Sequence, residues 1–227
     1  MAHPPSMSET DRARVGAAVT AAESATAGEI VTILGSRSDD YRDVALAWSA
    51  LVALLALTVI ALFPDFYLGL YDRLTGTWAS EWTPGRLLGL AALVAALKFG
   101  GMWLILLWRP LRLALTPAPI RHGRVHARAL ALFRVGAERR TTGRTGILIY
   151  LSLAEHRAEI IADEAIASKV EAEVWGDALA ALLAELKAGR MADGLIAAVD
   201  RVGAVLARHF PRGADDVNEL PDRLIEV

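Results

Sequence analysis

Two long runs of apolar residues dominate the first half of the chain. They span Val44–Phe63 and Leu87–Trp108, and within them the only charge is Lys98. A bilayer core of about 30 Å needs about 20 helical residues to cross it, and a core helix of a soluble protein is rarely so long and so uniformly apolar. The connecting segment Pro64–Arg86 is too short for a domain. The pattern therefore predicts a transmembrane hairpin rather than two buried helices of a soluble bundle.

Shorter apolar segments on both sides of the hairpin predict a small α/β domain. Glu29–Leu34 is β-branched and nearly all apolar, which is typical of a strand buried on both faces of a parallel sheet. Ile147–Leu151 and Arg157–Asp163 predict a second and a third strand, joined by a tight turn and therefore antiparallel to each other. Helical stripes of apolar residues precede the first strand and follow the third.

The first two strands are far apart in the chain, and the hairpin lies between them. If they pair in parallel, the connection must leave and return on the same side of the membrane, and an even number of spans permits that. We therefore predict a small mixed sheet flanked by helices, made from both flanks of the hairpin. The predicted parts are a split domain of residues 8–43 and 109–213, a hairpin at 44–108 with spans 44–63 and 87–108, and a solvated C-terminal tail at 214–227.

Three expectations concern helix ends and the loop of the hairpin. Thr141–Gly143 should end the helix that starts near Ile120. Glu164–Val174 should be one helical segment that the pair Trp175-Gly176 breaks. The aromatic-rich hairpin loop should dip into the membrane interface as a short amphipathic helix.

The distribution of basic residues predicts the orientation. The hairpin loop contains two, Arg73 and Arg86, whereas the outer flanks contain seven. The positive-inside rule then places both termini and the soluble domain in the cytoplasm. We therefore predict a multi-pass membrane protein with two spans. The seven flanking residues are Arg37, Arg42, Arg109, Arg112, Arg121, Arg124 and Arg128.

A basic collar follows the second span. Residues 109–144 contain nine Arg and one acid, Glu138, whereas the whole chain has a net charge of −2. A basic segment just past a membrane helix indicates anionic lipid headgroups as its partner rather than nucleic acid. The alternative, compatible with the first, is that these arginines are topology signals on a solvated helix. The chain has no cysteine, which excludes disulfides and cysteine-based metal sites.

Lys98 lies near the middle of the second span. A lysine there costs roughly 2.5–3.5 kcal/mol on insertion scales, and the first span offers no acid to pair with it. Its ammonium group either snorkels toward the interface or faces a partner helix, in a homo-oligomer or in another membrane protein. The adjacent Gly100-Gly101 would permit close approach of that helix.

Candidate chemistry is limited to carboxylates at strand ends, because no standard catalytic motif is present. Asp39 and Asp40 follow the first strand, and Asp163 and Glu164 follow the third. Sites in open α/β sheets tend to form outside the carboxyl ends of strands, so these four are the candidate metal ligands. The third strand should run opposite to the first, which separates the two pairs. Asp163 could equally be the N-cap of the next helix.

The order of helix, strand, crossover, two strands and helices resembles the TPM domain family. The residues that carry this resemblance are Ala27–Val31, Arg144–Ser152 and Glu155–Asp163, together with Gly194-Leu195 before the final amphipathic helix. They cover most of residues 10–210 outside the hairpin. The chain departs from the family in the membrane hairpin inside the domain, and many relatives place the domain outside the cytoplasm.

The resemblance implies acid-phosphatase activity, calcium binding, or repair and assembly of membrane proteins. Two function hypotheses follow. In the first, the protein is a module anchored in the bacterial inner membrane that binds or assembles partner proteins or controls their quality. In the second, it is a metal-dependent phosphatase-like hydrolase. The resemblance makes calcium the candidate ion, and the residues themselves define no cofactor.

Overall fold

The structure, a computed structural model, describes residues 7–76, 82–136, 145–171, 173–213 and 220–227. These residues fall into two compact units, an α/β unit (1–39 and 118–227) and a hairpin unit (40–117). The predicted helix end at Thr141–Gly143 lies outside the described residues.

The described residues of the hairpin unit form four helices. Two of them, α2 and α4, are long and apolar enough to cross a membrane, with mean hydropathies of 2.5 and 1.9, and they pack against each other. The predicted loop helix is present as α3, which begins at Pro64 and ends at Thr75 before Gly76 in a left-handed conformation. The helices are α2 (Arg42–Leu62), α3 (Pro64–Thr75), α4 (Pro84–Leu106) and α5 (Arg109–Ala114).

The described residues of the α/β unit form a mixed sheet flanked by helices, as predicted, with a fourth strand beyond the three predicted ones. Its helices are α1 (Glu9–Glu23), α6 (Ala118–Gly136), α7 (Glu164–Ala167), α8 (Val174–Lys187) and α9 (Met191–His209). Its strands are β1 (Glu29–Gly35), β2 (Gly146–Ser152), β3 (Arg157–Ala162) and β4 (Ile225–Glu226).

The sheet joins the two flanks of the hairpin directly. Its order is β3-β2-β1-β4, and β1 pairs with β2 in parallel over its whole length, from Glu29 opposite Gly146 to Gly35 opposite Ser152. β3 is antiparallel to β2. The two central strands are buried on both faces, which is why both read as continuous apolar runs.

Successive side chains of the two central strands point alternately into two hydrophobic cores. Ile30 and Leu34 of β1 point to a core shared with α1, α8 and α9, whereas Val31 and Ile33 point to a core shared with α6. The period-2 alternation of a strand therefore gives β1 and β2 two apolar faces, each covered by helices.

Two sequence expectations are corrected. The predicted segment Glu164–Val174 is not one helix, because α7 ends at Ala167 and α8 begins at Val174. Trp175 and Gly176 lie inside α8, where the buried Trp175 ring anchors the first turn in the core. The tail 214–227 is not wholly solvated, because its last part forms β4 beside β1 and buries Leu220 and Leu224.

Candidate functional site

The carboxyl ends of β1 and β2 form one edge of the sheet because the two strands are parallel. The chain segments that follow them meet there, with the Leu153 amide donating to the Gly35 carbonyl at 2.9 Å and the Ala154 amide to the Ser36 carbonyl at 3.2 Å. Ligand sites of open α/β sheets tend to form at this edge. Four polar side chains converge here as the strand-end cluster, which consists of Ser38, Tyr150, Ser152 and Glu155.

Glu155 is the acceptor at the centre of this cluster. Its Oε1 and Oε2 atoms lie 3.1 and 3.3 Å from the Ser38 amide nitrogen, and its carboxylate also accepts from the Ser152 hydroxyl. The Ser38 hydroxyl donates to Ser152 Oγ at 3.0 Å and lies 3.1 Å from the Tyr150 hydroxyl. Since the Ser38 proton is used toward Ser152, Tyr150 is the donor to Ser38. Ser152 and Tyr150 are fully buried, so the cluster fastens the segment after β1 rather than exposing a nucleophile.

Gly35 makes room for this network. A Cβ atom at this position would lie 2.4 Å from the Tyr150 hydroxyl, closer than real contacts allow. The last residue of β1 therefore carries no side chain, and the Tyr150 ring covers the strand end instead.

Side-chain pairs connect α6 to the strands next to this cluster. Arg124 of α6 contacts the half-exposed carboxylate of Asp39, which was a candidate metal ligand. Two histidines of α6 contact side chains of β3. Exposed or half-exposed pairs of this kind contribute at most about 1 kcal/mol each. The pairs are Arg124–Asp39 at 3.3 Å, His126–Glu159 at 3.3 Å, and His122–Arg157.

The four predicted metal ligands do not come together. Asp39 lies at the carboxyl edge of β1, and Asp40 belongs to the hairpin unit, where it lies 3.7 Å from Arg42. Asp163 and Glu164 follow β3, which ends at the opposite edge. Within the described ranges, no three His, Asp or Glu side chains form a group that could hold a metal ion. Metal binding by these residues stays a prediction.

Asp163 is the N-cap of α7. Its backbone is extended, and its Oδ1 accepts from the Glu164 amide at 2.8 Å. The structure therefore contains the N-cap that was the alternative role for Asp163. The second carboxylate oxygen, Oδ2, is buried and has no hydrogen-bond partner among the described atoms.

A second group of carboxylates, absent from the sequence expectations, lies at the opposite edge. Glu23 ends α1, Glu29 begins β1, and Asp222 comes from the tail. Burial raises the pKa of Glu23 to about 8, and the negative charges of Glu29 and Asp222 add to the shift, although the Ile30 amide donates to Glu23 and opposes it. The tail lacks periodicity, so no local pattern signals that Asp222 comes to this place.

A cavity of about 460 Å³ lies beside the turn between β2 and β3. Its volume is within the range of small-molecule sites. Its imidazole, from His156, belongs to a residue with a positive φ of 50°. The lining residues are Ser36, Leu153, Ala154, His156, Leu186, Gly189 and Met191.

The residues predicted to face the membrane or a partner fall in both units. Lys98 is exposed on α4, and a Cβ atom at Gly100 or Gly101 would meet nothing within 4 Å. Arg109 is exposed and Arg112 is buried, both on α5. The collar residues on α6 are Arg121, Arg124 and Arg128, which range from half-buried to exposed.

Comparisons with known proteins agree with this architecture. The family model of the TPM domain matches residues 122–205. The chain is also similar to the NMR structure of the BA42 protein from the psychrophilic bacterium Bizionia argentinensis sp. nov., with a TM-score of 0.56 and 17% identity over 98% of this chain and 97% of that chain. At that identity the likeness shows the fold alone. The search of curated proteins gave no match. The matched part of the chain, residues 122–205, is therefore similar to the same family that the strand motifs resemble.

Proposed function

We propose that the protein is a TPM-domain module anchored in the bacterial inner membrane, where it binds partner proteins. The observation that carries this proposal is the apolar surface of the hairpin. Although α2 and α4 pack on each other, their outward leucines stay more than half exposed. A continuous apolar surface of this kind requires lipid or protein cover. The exposed leucines are Leu51 at 53%, Leu54 at 61%, Leu55 at 60%, Leu88 at 68%, Leu97 at 65% and Leu104 at 66%.

Anchoring through the hairpin would hold the domain at the bilayer surface. The hairpin lies in the connection between β1 and β2. The parts of the domain before and after the hairpin therefore join in one sheet. If the hairpin crosses the bilayer, the domain stays attached to the membrane through both of its flanks. The exposed arginines of these helices, Arg109 on α5 and Arg128 on α6, would then face anionic headgroups.

Lys98 supports a partner within the membrane. Its side chain points out of the hairpin, and in the described part of the chain no ion pair or hydrogen bond involves it. An ammonium group in a bilayer core is costly unless it is paired. The partner that fits is a membrane helix that presents a carboxylate near the bilayer centre, at a position where Gly100 and Gly101 allow close packing.

The test compares assemblies in mild detergent. Wild-type protein should migrate as a complex larger than one 24.4 kDa chain, and Lys98→Leu should dissociate it. Thr58→Leu is the matched control, because Thr58 is also exposed on the hairpin but its hydroxyl bonds to the Leu54 carbonyl of its own helix. Unchanged assembly of Lys98→Leu, or equal loss in Thr58→Leu, would contradict a Lys98-dependent partner.

The hydrolase hypothesis predicts a different result. Purified protein would hydrolyse p-nitrophenyl phosphate in the presence of calcium or magnesium, and Asp39→Asn or Asp163→Asn would abolish the hydrolysis. Turnover with this dependence on the carboxylates would replace the binding module with an enzyme. Absence of turnover together with Lys98-dependent assembly supports the module.

A further inference from the structure

The last residues of the chain lie along the outer edge of β1. The Val227 amide donates to the Leu34 carbonyl at 2.9 Å, and the Ser36 amide donates to the Val227 carbonyl at 3.0 Å. Leu220 and Leu224 are 5% and 7% exposed. Residues 220–227, which we call the latch, therefore cover an edge that would otherwise present free backbone groups.

Polar contacts hold the first residues of the latch in place. The Thr20 hydroxyl donates to Asp222 Oδ2 at 2.7 Å, and the Leu220 amide donates to Glu29 Oε2 at 3.2 Å. The Asp222 carbonyl approaches α1 so closely that a Cβ atom at Gly16 would lie 2.9 Å from it. The chain thus brings the Asp222 carboxylate to the end of α1.

Glu23 lies at that end with one carboxylate oxygen satisfied and one not. Its Oε1 accepts from the Ile30 amide at 2.7 Å, whereas its Oε2 is buried with no hydrogen-bond partner among the described atoms. In the part of the chain that the structure describes, the charged groups that act on it are Glu29 from β1 and Asp222 from the latch. Arg212, which follows α9, donates at 3.4 Å to the Glu23 backbone carbonyl rather than to its carboxylate.

We propose that the latch is a proton-controlled cover of β1: it is closed while Glu23 is protonated and opens when Glu23 ionises. A proton on Oε2 removes a buried negative charge and provides a donor toward Asp222. Loss of that proton places three carboxylates together, namely Glu23, Glu29 and Asp222.

Repulsion among these groups should move the latch and not the core. Glu23 and Glu29 belong to α1 and β1, which are packed into the sheet, whereas β4 has only two residues. The element with the fewest stabilising contacts opens first. Opening exposes the β1 edge, where an extended segment of another protein can add a strand. Because the pKa of Glu23 is about 8, the transition falls near neutral pH.

Trypsin reports the state of the latch in the full-length protein. The bond after Arg223 lies inside the latch, and its cleavage releases Leu224–Val227, which intact mass spectrometry detects. We expect cleavage of wild type to rise about tenfold between pH 7 and pH 9, in step with the ionised fraction of a group that titrates near pH 8. Rates are divided by those of Glu23→Gln at the same pH, which corrects for the pH dependence of trypsin.

Glu23→Gln keeps the acceptor for the Ile30 amide and imitates the protonated acid, so its latch should stay closed at both pH values. Glu226→Gln is the matched control, because Glu226 is the latch carboxylate that pairs with Arg12 at 3.5 Å on the surface and its loss should leave the pH step intact. If Glu23→Gln does not fold, Asp222→Asn replaces it and should also remove most of the step. Equal pH responses of wild type and the Glu23 or Asp222 variant would overturn the proposal.

Discussion

Ser38 and Glu155 are 117 positions apart in the chain, yet the Ser38 amide lies 3.1 Å from Oε1 of Glu155. Ser38 lies two residues before the start of the hairpin unit, and Glu155 follows β2. Their contact and the parallel pairing of β1 and β2 join the two parts of the α/β unit that the hairpin separates in the chain.

Glu155→Ala should destabilise the α/β unit. The substitution leaves the buried Ser152 hydroxyl and the Ser38 amide without their acceptor, which costs about 1–3 kcal/mol. The melting temperature of the protein in detergent measures the loss. Glu159→Ala, which removes the partner of His126 near the surface, is the control and should cost less than about 1 kcal/mol. Equal effects of the two variants would show that the strand-end cluster adds no stability beyond a surface pair.

Gly35→Ala should also destabilise, through overpacking. The new methyl group would lie 2.4 Å from the Tyr150 hydroxyl, and overpacking typically costs about 1–3 kcal/mol. Tyr150→Phe removes the hydroxyl, so Gly35→Ala should cost less in that background. A double-mutant cycle of melting temperatures measures the coupling, and additive effects would contradict the contact.

The sequence predicts those parts of the architecture that depend on local patterns of apolar residues. The apolar runs of β1 and β2 show that both strands are buried, and the even number of spans between them allows parallel pairing. The strand-end cluster is less visible, because Ser38, Tyr150 and Ser152 meet only after β1 and β2 align. The sequence shows that Asp39, Asp40, Asp163 and Glu164 follow strands, but none of these residues belongs to the strand-end cluster.

The C-terminal tail shows why some elements could not be predicted from the sequence. β4 has two residues and no periodicity, so only its neighbours on α1 and β1 make it a strand. The start of α8 is misread for a similar reason, since glycine after Trp175 suggests a break and burial of the Trp175 ring overrides it. Tertiary contacts decide both positions, and local propensity does not.

Substitutions of Asp163 distinguish a role as a helix cap from a role as a calcium ligand. Asn caps a helix about as well as Asp, whereas a calcium site depends on carboxylate charge. We predict that calcium raises the melting temperature of wild type and that Asp163→Asn reduces this rise, while Asp163→Ala also lowers the melting temperature without calcium. A full calcium response in Asp163→Asn, or none in wild type, would leave Asp163 with the structural role alone.

Glu23 should make stability depend on pH. Its pKa rises from an ordinary value of 4.5 to about 8 in the fold, so the folded state binds the proton more tightly than the unfolded chain. The stability contribution of this proton is complete below pH 4.5 and is lost as the pH rises through 8. The melting temperature of wild type should therefore fall over this range more than that of Glu23→Gln. Parallel curves for the two proteins would contradict a raised pKa.

Cysteine labelling tests most directly whether the hairpin crosses the membrane with both flanks of the domain on the cytoplasmic side. The chain has no cysteine, so Glu9→Cys, Leu74→Cys and Val135→Cys each introduce one thiol, at exposed positions in α1, α3 and α6. A membrane-impermeant maleimide should label Leu74→Cys in intact spheroplasts and the other two only in inverted vesicles. Labelling of all three variants from the same side would contradict a membrane-spanning hairpin.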